Sequence, residues 1–127
     1  FSYKKNSKEM STDGLDISGS KVEVKGNKFF NMSDKGISVG EQSRIIISSN
    51  SFNHNNLAIA VKDGSEAYVG MNQFDNNHID ISMYIKKKIY SSPILYSISN
   101  NKSLNIKVSS GDIFYPKNIQ NSFEDAE

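Results

Sequence analysis
Apolar residues along this chain alternate with small or polar ones in short runs, and the runs return at a nearly fixed interval. One set reads Leu15-Asp16-Ile17, Ile37-Ser38-Val39, Leu57-Ala58-Ile59-Ala60-Val61 and Ile79-Asp80-Ile81-Ser82-Met83. A second reads Val22-Glu23-Val24, Ile45-Ile46-Ile47 and Ala67-Tyr68-Val69. Alternation of period two marks strands with one face buried and the other turned out. Each second run is followed by Asn-x-Phe, as Asn27-Lys28-Phe29, Asn50-Ser51-Phe52 and Asn72-Gln73-Phe74, spaced 23 and then 22 residues apart. The last three members of the first set align at steps of 22, and the first needs one deletion near Gly19. Gly, Asn, Asp and Ser fill the corners, at residues 33–36, 53–56, 63–65 and 75–77. These residue types accept tight or left-handed backbone.

The repeat selects among folds. Helices are excluded because β-branched residues dominate the apolar positions and Gly, Asn and Ser interrupt every segment. An antiparallel sandwich also has short strands and turns. It gives no reason for Asn, Phe and Ser (Ser20, Ser43, Ser65) to return at the same offset. Coils stacked on one another do. The expected fold is an all-β parallel solenoid of about four coils with a 22–23-residue repeat over residues 13–92. Successive coils pair about 4.8 Å apart, and Asn27, Asn50 and Asn72 form a structural ladder that passes side-chain amide hydrogen bonds between coils. Residues 1–12 read as a lead-in continuing from a longer chain, and 93–127 as a looser C-terminal coil or cap with a frayed tail.

Composition narrows the function. A chain of 127 residues with 36% hydrophobic content and mean hydropathy −0.53 suits a narrow stacked core better than a broad one. Fifteen Lys+Arg against 14 Asp+Glu give +1, which removes the simplest argument for nucleic acid or an anionic membrane. Cysteine is absent, so disulfides and thiolate metal sites are excluded. No apolar run approaches the roughly 20 residues of a membrane-inserted helix. No phosphate loop, nucleophile elbow or dinucleotide fingerprint occurs.

The repeats, and in particular Asp34-Lys35-Gly36-Ile37-Ser38-Val39-Gly40-Glu41 followed by Ala58-Ile59-Ala60-Val61-Lys62-Asp63-Gly64-Ser65, resemble the right-handed parallel β-helix family, the pectate-lyase-like superfamily. They look most like its bacterial surface and secreted members. The resemblance implies the fold and an extracellular or cell-envelope location. It does not choose a function, since the family includes lyases, hydrolases, epimerases, adhesins and structural stalks. In its enzymes an outer groove carries carboxylates for calcium and a Lys or Arg base. Carried onto this chain, that groove implies Asp16, Lys62 and Asp80 as the catalytic candidates.

Aligning the coils predicts outward columns. One holds Asp16, Ser38, Ala60 and Ser82, and the next Ser18, Gly40, Lys62 and Tyr84. A second face holds Glu23, Ile46, Tyr68 and Tyr90. Ile46, Tyr68 and Tyr90 are the ligand-binding candidates there, because aromatic faces pack on the apolar C–H surface of sugar rings. A third column, Lys21, Arg44, Glu66 and Lys88, reads as structural, since exposed ion pairs contribute only about 0–1 kcal/mol. Glu41 and Asp63 are weak calcium candidates without the ligand count of a recognised loop. His54 and His78 lack the further ligands of a zinc site. Lys86-Lys87-Lys88 reads as a solvated turn. The expectation is a non-catalytic module of a bacterial surface or secreted protein with a polysaccharide as partner. The alternatives are a fragment of a polysaccharide lyase or epimerase with its catalytic coils upstream, and a structural spacer or oligomerisation element. The open first coil would dock on an upstream segment or a second copy.

Overall fold
The computed structural model describes residues 13–116, and these form an all-β parallel solenoid of about five turns. The first coil contains β1 (Asp13–Ser18), β2 (Lys21–Lys25) and β3 (Lys28–Phe30). The second contains β4 (Lys35–Gly40), β5 (Arg44–Ser48) and β6 (Ser51–Asn53), and the third β7 (Leu57–Lys62), β8 (Glu66–Gly70) and β9 (Gln73–Asp75). The fourth has β10 (Ile79–Tyr84) and β11 (Ile94–Ile98), and the fifth β12 (Ile106–Val108) and β13 (Asp112–Phe114). Corresponding strands stack into three parallel sheets, β1-β4-β7-β10-β12, β2-β5-β8-β11-β13 and β3-β6-β9.

Register puts like on like. Leu15, Ile37, Ile59, Ile81 and Ile106 form one inward column. Val22, Ile45, Ala67, Leu95 and Ile113 form another. Phe29, Phe52 and Phe74 are fully buried, with ring centroids 5.1 and 4.9 Å apart and planes within 12° of parallel. Each coil therefore covers the apolar face of the next, and a chain of low hydropathy still has a dry core.

The corners explain the Asn and Ser positions. Left-handed backbone recurs in register, at Gly19, Glu41 and Asp63, at Gly26, Ser49, Met71 and Ser99, and at Asn31, His54 and Asn76. Such a conformation costs a non-glycine residue roughly 1–2 kcal/mol. Side-chain hydrogen bonds beside each corner offset that cost. Asn50 Oδ1 accepts the Asn27 N–H at 2.9 Å, Asn72 Oδ1 accepts the Asn50 N–H at 3.0 Å, and Asn100 Oδ1 accepts the Asn72 N–H at 3.1 Å. A second ladder, not anticipated from the sequence, runs through Asn55 and Asn77: Asn55 Oδ1 takes the Met32 N–H and Asn77 Oδ1 the Asn55 N–H. Ser43 and Ser65 accept from Ser20 and Ser43 at the first corner.

The fourth coil departs from the repeat. Ile94 pairs with Glu66, 28 residues earlier, so six residues have been inserted between β10 and β11. Among the described residues after 92, β11, β12 and β13 continue the sheets as a further C-terminal coil. Where the third sheet ends, Asn101 stands in for a strand: its Oδ1 accepts the Phe74 N–H at 2.7 Å and its Nδ2 donates to the Phe74 carbonyl at 3.1 Å. An open strand edge is thereby satisfied at that point. The lead-in of residues 1–12 and the tail of residues 117–127 lie outside the described residues.

Candidate functional site
The outer face of the first sheet carries the column Asp16, Ser38, Ala60 and Ser82 in register. Ser38 and Ala60 are nonetheless buried. A Cβ at Gly40 would lie 2.8 Å from Lys62 Cε and 3.2 Å from its Cγ, so glycine there lets the Lys62 stem lie flat on the sheet. Beside it opens a recess of about 180 Å3, whose lining includes Asp16, Ser18, Glu41, Lys62, Asp63 and Lys86.

The charges in this recess are coupled. Burial holds the Lys62 ammonium below the ordinary lysine range, reinforced by Lys86 and Lys35 and opposed by Asp16 and Asp63. Tyr84, paired with Lys62 across the coils, is raised by burial. Asp13 is also raised, chiefly by burial, against the pull of Lys35. Burial works to lower Lys35, but Asp34 and Asp13 outweigh it and raise the group. The Lys87 ammonium, 2.6 Å from Glu41, holds Glu41 below the usual carboxylate range and is itself raised by it.

The fold brings Asp16 and Lys62 to this recess but leaves Asp80 out. Asp80 is fully buried; its Oδ2 accepts the Asn105 N–H at 2.9 Å and lies 3.3 Å from Lys102 Nζ, and its Oδ1 accepts from Asn77 Nδ2 at 3.3 Å. Strict alternation had placed it outward. The pairing skips its position, however, joining Ile79 to Leu57 and Ile81 to Ile59, and the equivalent Ala58 packs in the core. Asp80 is thus an anchor for the last coil. The calcium candidates do line the recess together, but both serve the loop above it. Glu41 holds Lys87, and Asp63 Oδ1 accepts the Lys86 and Lys87 N–H groups at 2.7 and 2.9 Å. Among the described residues no three His, Cys, Asp or Glu converge as a metal site.

The second sheet presents a different chemistry. Its outward column is Glu23, Ile46, Tyr68, Tyr96 and Phe114. Tyr96 takes the place expected for Tyr90, and Ile94 that expected for Lys88, because the six inserted residues shift the numbering without shifting the pairing. Tyr90 sits in the loop, where its N–H donates to the Lys87 carbonyl at 3.1 Å. A signal for Tyr96 was present: Asn100 follows it by four residues, as Asn72 follows Tyr68.

The rings stack along the solenoid axis. Tyr68 and Tyr96 lie 4.3 Å apart and 5° from parallel, Tyr96 and Phe114 lie 5.4 Å apart at 24°, and the Arg44 guanidinium is 6.0 Å from the Tyr68 centroid. Tyr68 is therefore only 4% exposed and offers no open face. Burial, then Tyr68, raises the Tyr96 phenol. Open aromatic surface lies at the end of the column, where Phe114 is 49% and Tyr115 69% exposed.

Residues 4–101 match the family described as a right-handed beta helix region. Comparison with curated proteins and with solved structures gave no match.

Proposed function
Because this chain belongs to the right-handed β-helix family, whose fold does not dictate a reaction, we propose that it is a non-catalytic module of a bacterial surface or secreted protein and that it presents a rigid face to a polysaccharide. The supporting observation is the stacked column Tyr68–Tyr96–Phe114 with Tyr115 beside its end. Ladder hydrogen bonds hold this strip in place, so little ordering entropy opposes binding. Sugar rings pack on the open Phe114 and Tyr115 surface and meet the edge of Tyr96.

The test is binding to an array of neutral and acidic polysaccharides, with turnover followed in parallel. Saturable binding without turnover, weakened at least about tenfold in Phe114→Ala with an unchanged melt, is the expected result. Binding that is indifferent to Phe114→Ala and Tyr96→Ala would discard the strip as the site. The lyase or epimerase reading draws on Asp16 and Lys62, which both line the first-sheet recess. Turnover abolished by Lys62→Met would put that reading first.

A further inference from the structure
The six residues that break the repeat build a projecting loop between β10 and β11, and its chemistry is unlike that of the coils. The base is clamped. Asp63 Oδ1 accepts two successive backbone N–H groups, from Lys86 and Lys87, and Lys87 Nζ reaches Glu41. The Tyr90 N–H closes a tight turn on the Lys87 carbonyl. Ile89 stands at that turn, 85% exposed, the most exposed large apolar side chain of the described residues, and Ile85 is 37% exposed. Other apolar side chains are exposed too, Phe114 at 49% and Tyr115 at 69%, but among the described residues only Ile85 and Ile89 bracket a run of three lysines.

Charge flanks the apolar tip. Lys86, Lys87 and Lys88 precede Ile89 directly. Lys87 is occupied by Glu41, while Lys86 and Lys88 take part in no salt bridge of the described residues. Lys62 adds a further cation beneath Lys86 and is held below its ordinary range by burial and then by Lys86 itself. The overall charge of +1 conceals this local concentration.

We propose that this loop docks the protein on an anionic lipid bilayer, with Ile89 entering the boundary between headgroups and acyl chains and Lys86 and Lys88 meeting the headgroup charge. A lone isoleucine falls far short of the roughly 1,000 Å2 that a specific protein interface buries. A bilayer makes no such demand, because its apolar layer accepts a single wedge and its surface charge is read without fixed geometry. The attachment is weak and reversible, as one small anchor implies. It is independent of the polysaccharide reading, which concerns the second sheet.

The experiment is co-sedimentation of the 127-residue chain with vesicles of phosphatidylcholine alone and of equal parts phosphatidylcholine and phosphatidylglycerol. The chain contains no Trp, so Ile89→Trp supplies a single fluorescent reporter. Expected are binding to the mixed vesicles, a blue shift of the Ile89→Trp emission on binding, and loss of about fivefold in affinity for each of Lys86→Gln and Lys88→Gln. Ile89→Ser should lose at least about tenfold. Lys88 and Ile89 are exposed and Lys86 contributes its backbone to the clamp, so unchanged melting temperatures separate these losses from unfolding. Absence of binding to mixed vesicles overturns the proposal. So does binding that survives Ile89→Ser while falling with the lysine variants, which would reduce the contact to surface charge with no entry of Ile89.

Discussion

Asn50→Ala tests the ladder most directly. Asn50 is 3% exposed, and its side chain serves four neighbours at once. Oδ1 accepts the Asn27 N–H at 2.9 Å, while Nδ2 lies 2.9 Å from the Val24 carbonyl, 3.0 Å from that of Ser48 and 3.1 Å from Asn72 Oδ1. Alanine removes all of these. A buried polar group left unpaired costs about 1–3 kcal/mol. The Val24 carbonyl bears that in full, whereas the half-buried Asn27 N–H regains part of its loss from solvent. The sum is about 2–4 kcal/mol, or roughly 10 °C in Tm for a chain of this size. Asn27→Ala is the internal control, because the Asn27 side chain donates only to the exposed Lys25 carbonyl and should cost under about 1 kcal/mol. Urea unfolding of both variants measures the difference. Equal costs would mean that the buried amide chain contributes nothing beyond a surface hydrogen bond, and the argument for the ladder would fall.

Three further outcomes follow from the same geometry. Phe52→Ala, which empties the middle of the three-ring stack, should cost about 3–5 kcal/mol; a loss under about 1.5 kcal/mol in chemical denaturation would show that the stack collapses freely. Gly36→Ala should destabilise by about 1–3 kcal/mol because its Cβ would meet the Ala58 backbone oxygen at 2.6 Å, while Gly40→Ala meets only the mobile Lys62 chain and should shift Tm less. Burial holds the Lys62 pKa below its unfolded value of 10.5, so the unfolded state binds more protons in that interval and the Lys62 contribution to stability rises with pH up to 10.5. Tyr84, raised above 10.0, contributes in the opposite sense, with stability lost as pH climbs past that value. The difference between wild type and Lys62→Met isolates the lysine: it should grow with pH below 10.0, and a flat difference would refute the burial of Lys62.

Much of the fold was legible because a solenoid repeats its contacts. Val39 meets Val61 and Ile47 meets Val69 at a constant offset, so one coil read correctly predicts its neighbours. Asn27, Asn50 and Asn72 were legible for the same reason, and Asn55 with Asn77 escaped because the first coil has Met32 in their place. The candidate sites were less legible. Asp16 and Lys62 reach a common recess, since both lie beyond the position that the pairing of their strands skips, where alternation holds. Asp80 does not, since it occupies the skipped position itself, equivalent to the buried Ala58.

The sequence by itself determined the coil, the faces of most strand positions and the Asn27, Asn50 and Asn72 ladder, all of which follow from short-range period and from pairing at one repeated distance. Only the tertiary structure decided that Tyr96 and not Tyr90 completes the aromatic column, that the Tyr68 ring spends its faces on its neighbours, and that Ile89 is left in water. The physical reason is that closing a longer loop adds little entropy cost. Six extra residues can therefore leave the coil without disturbing its register, and the chain alone does not say where they leave it. Burial of Leu95 and Ile98 against the coil beneath settles that choice, and with it which side chains face outward.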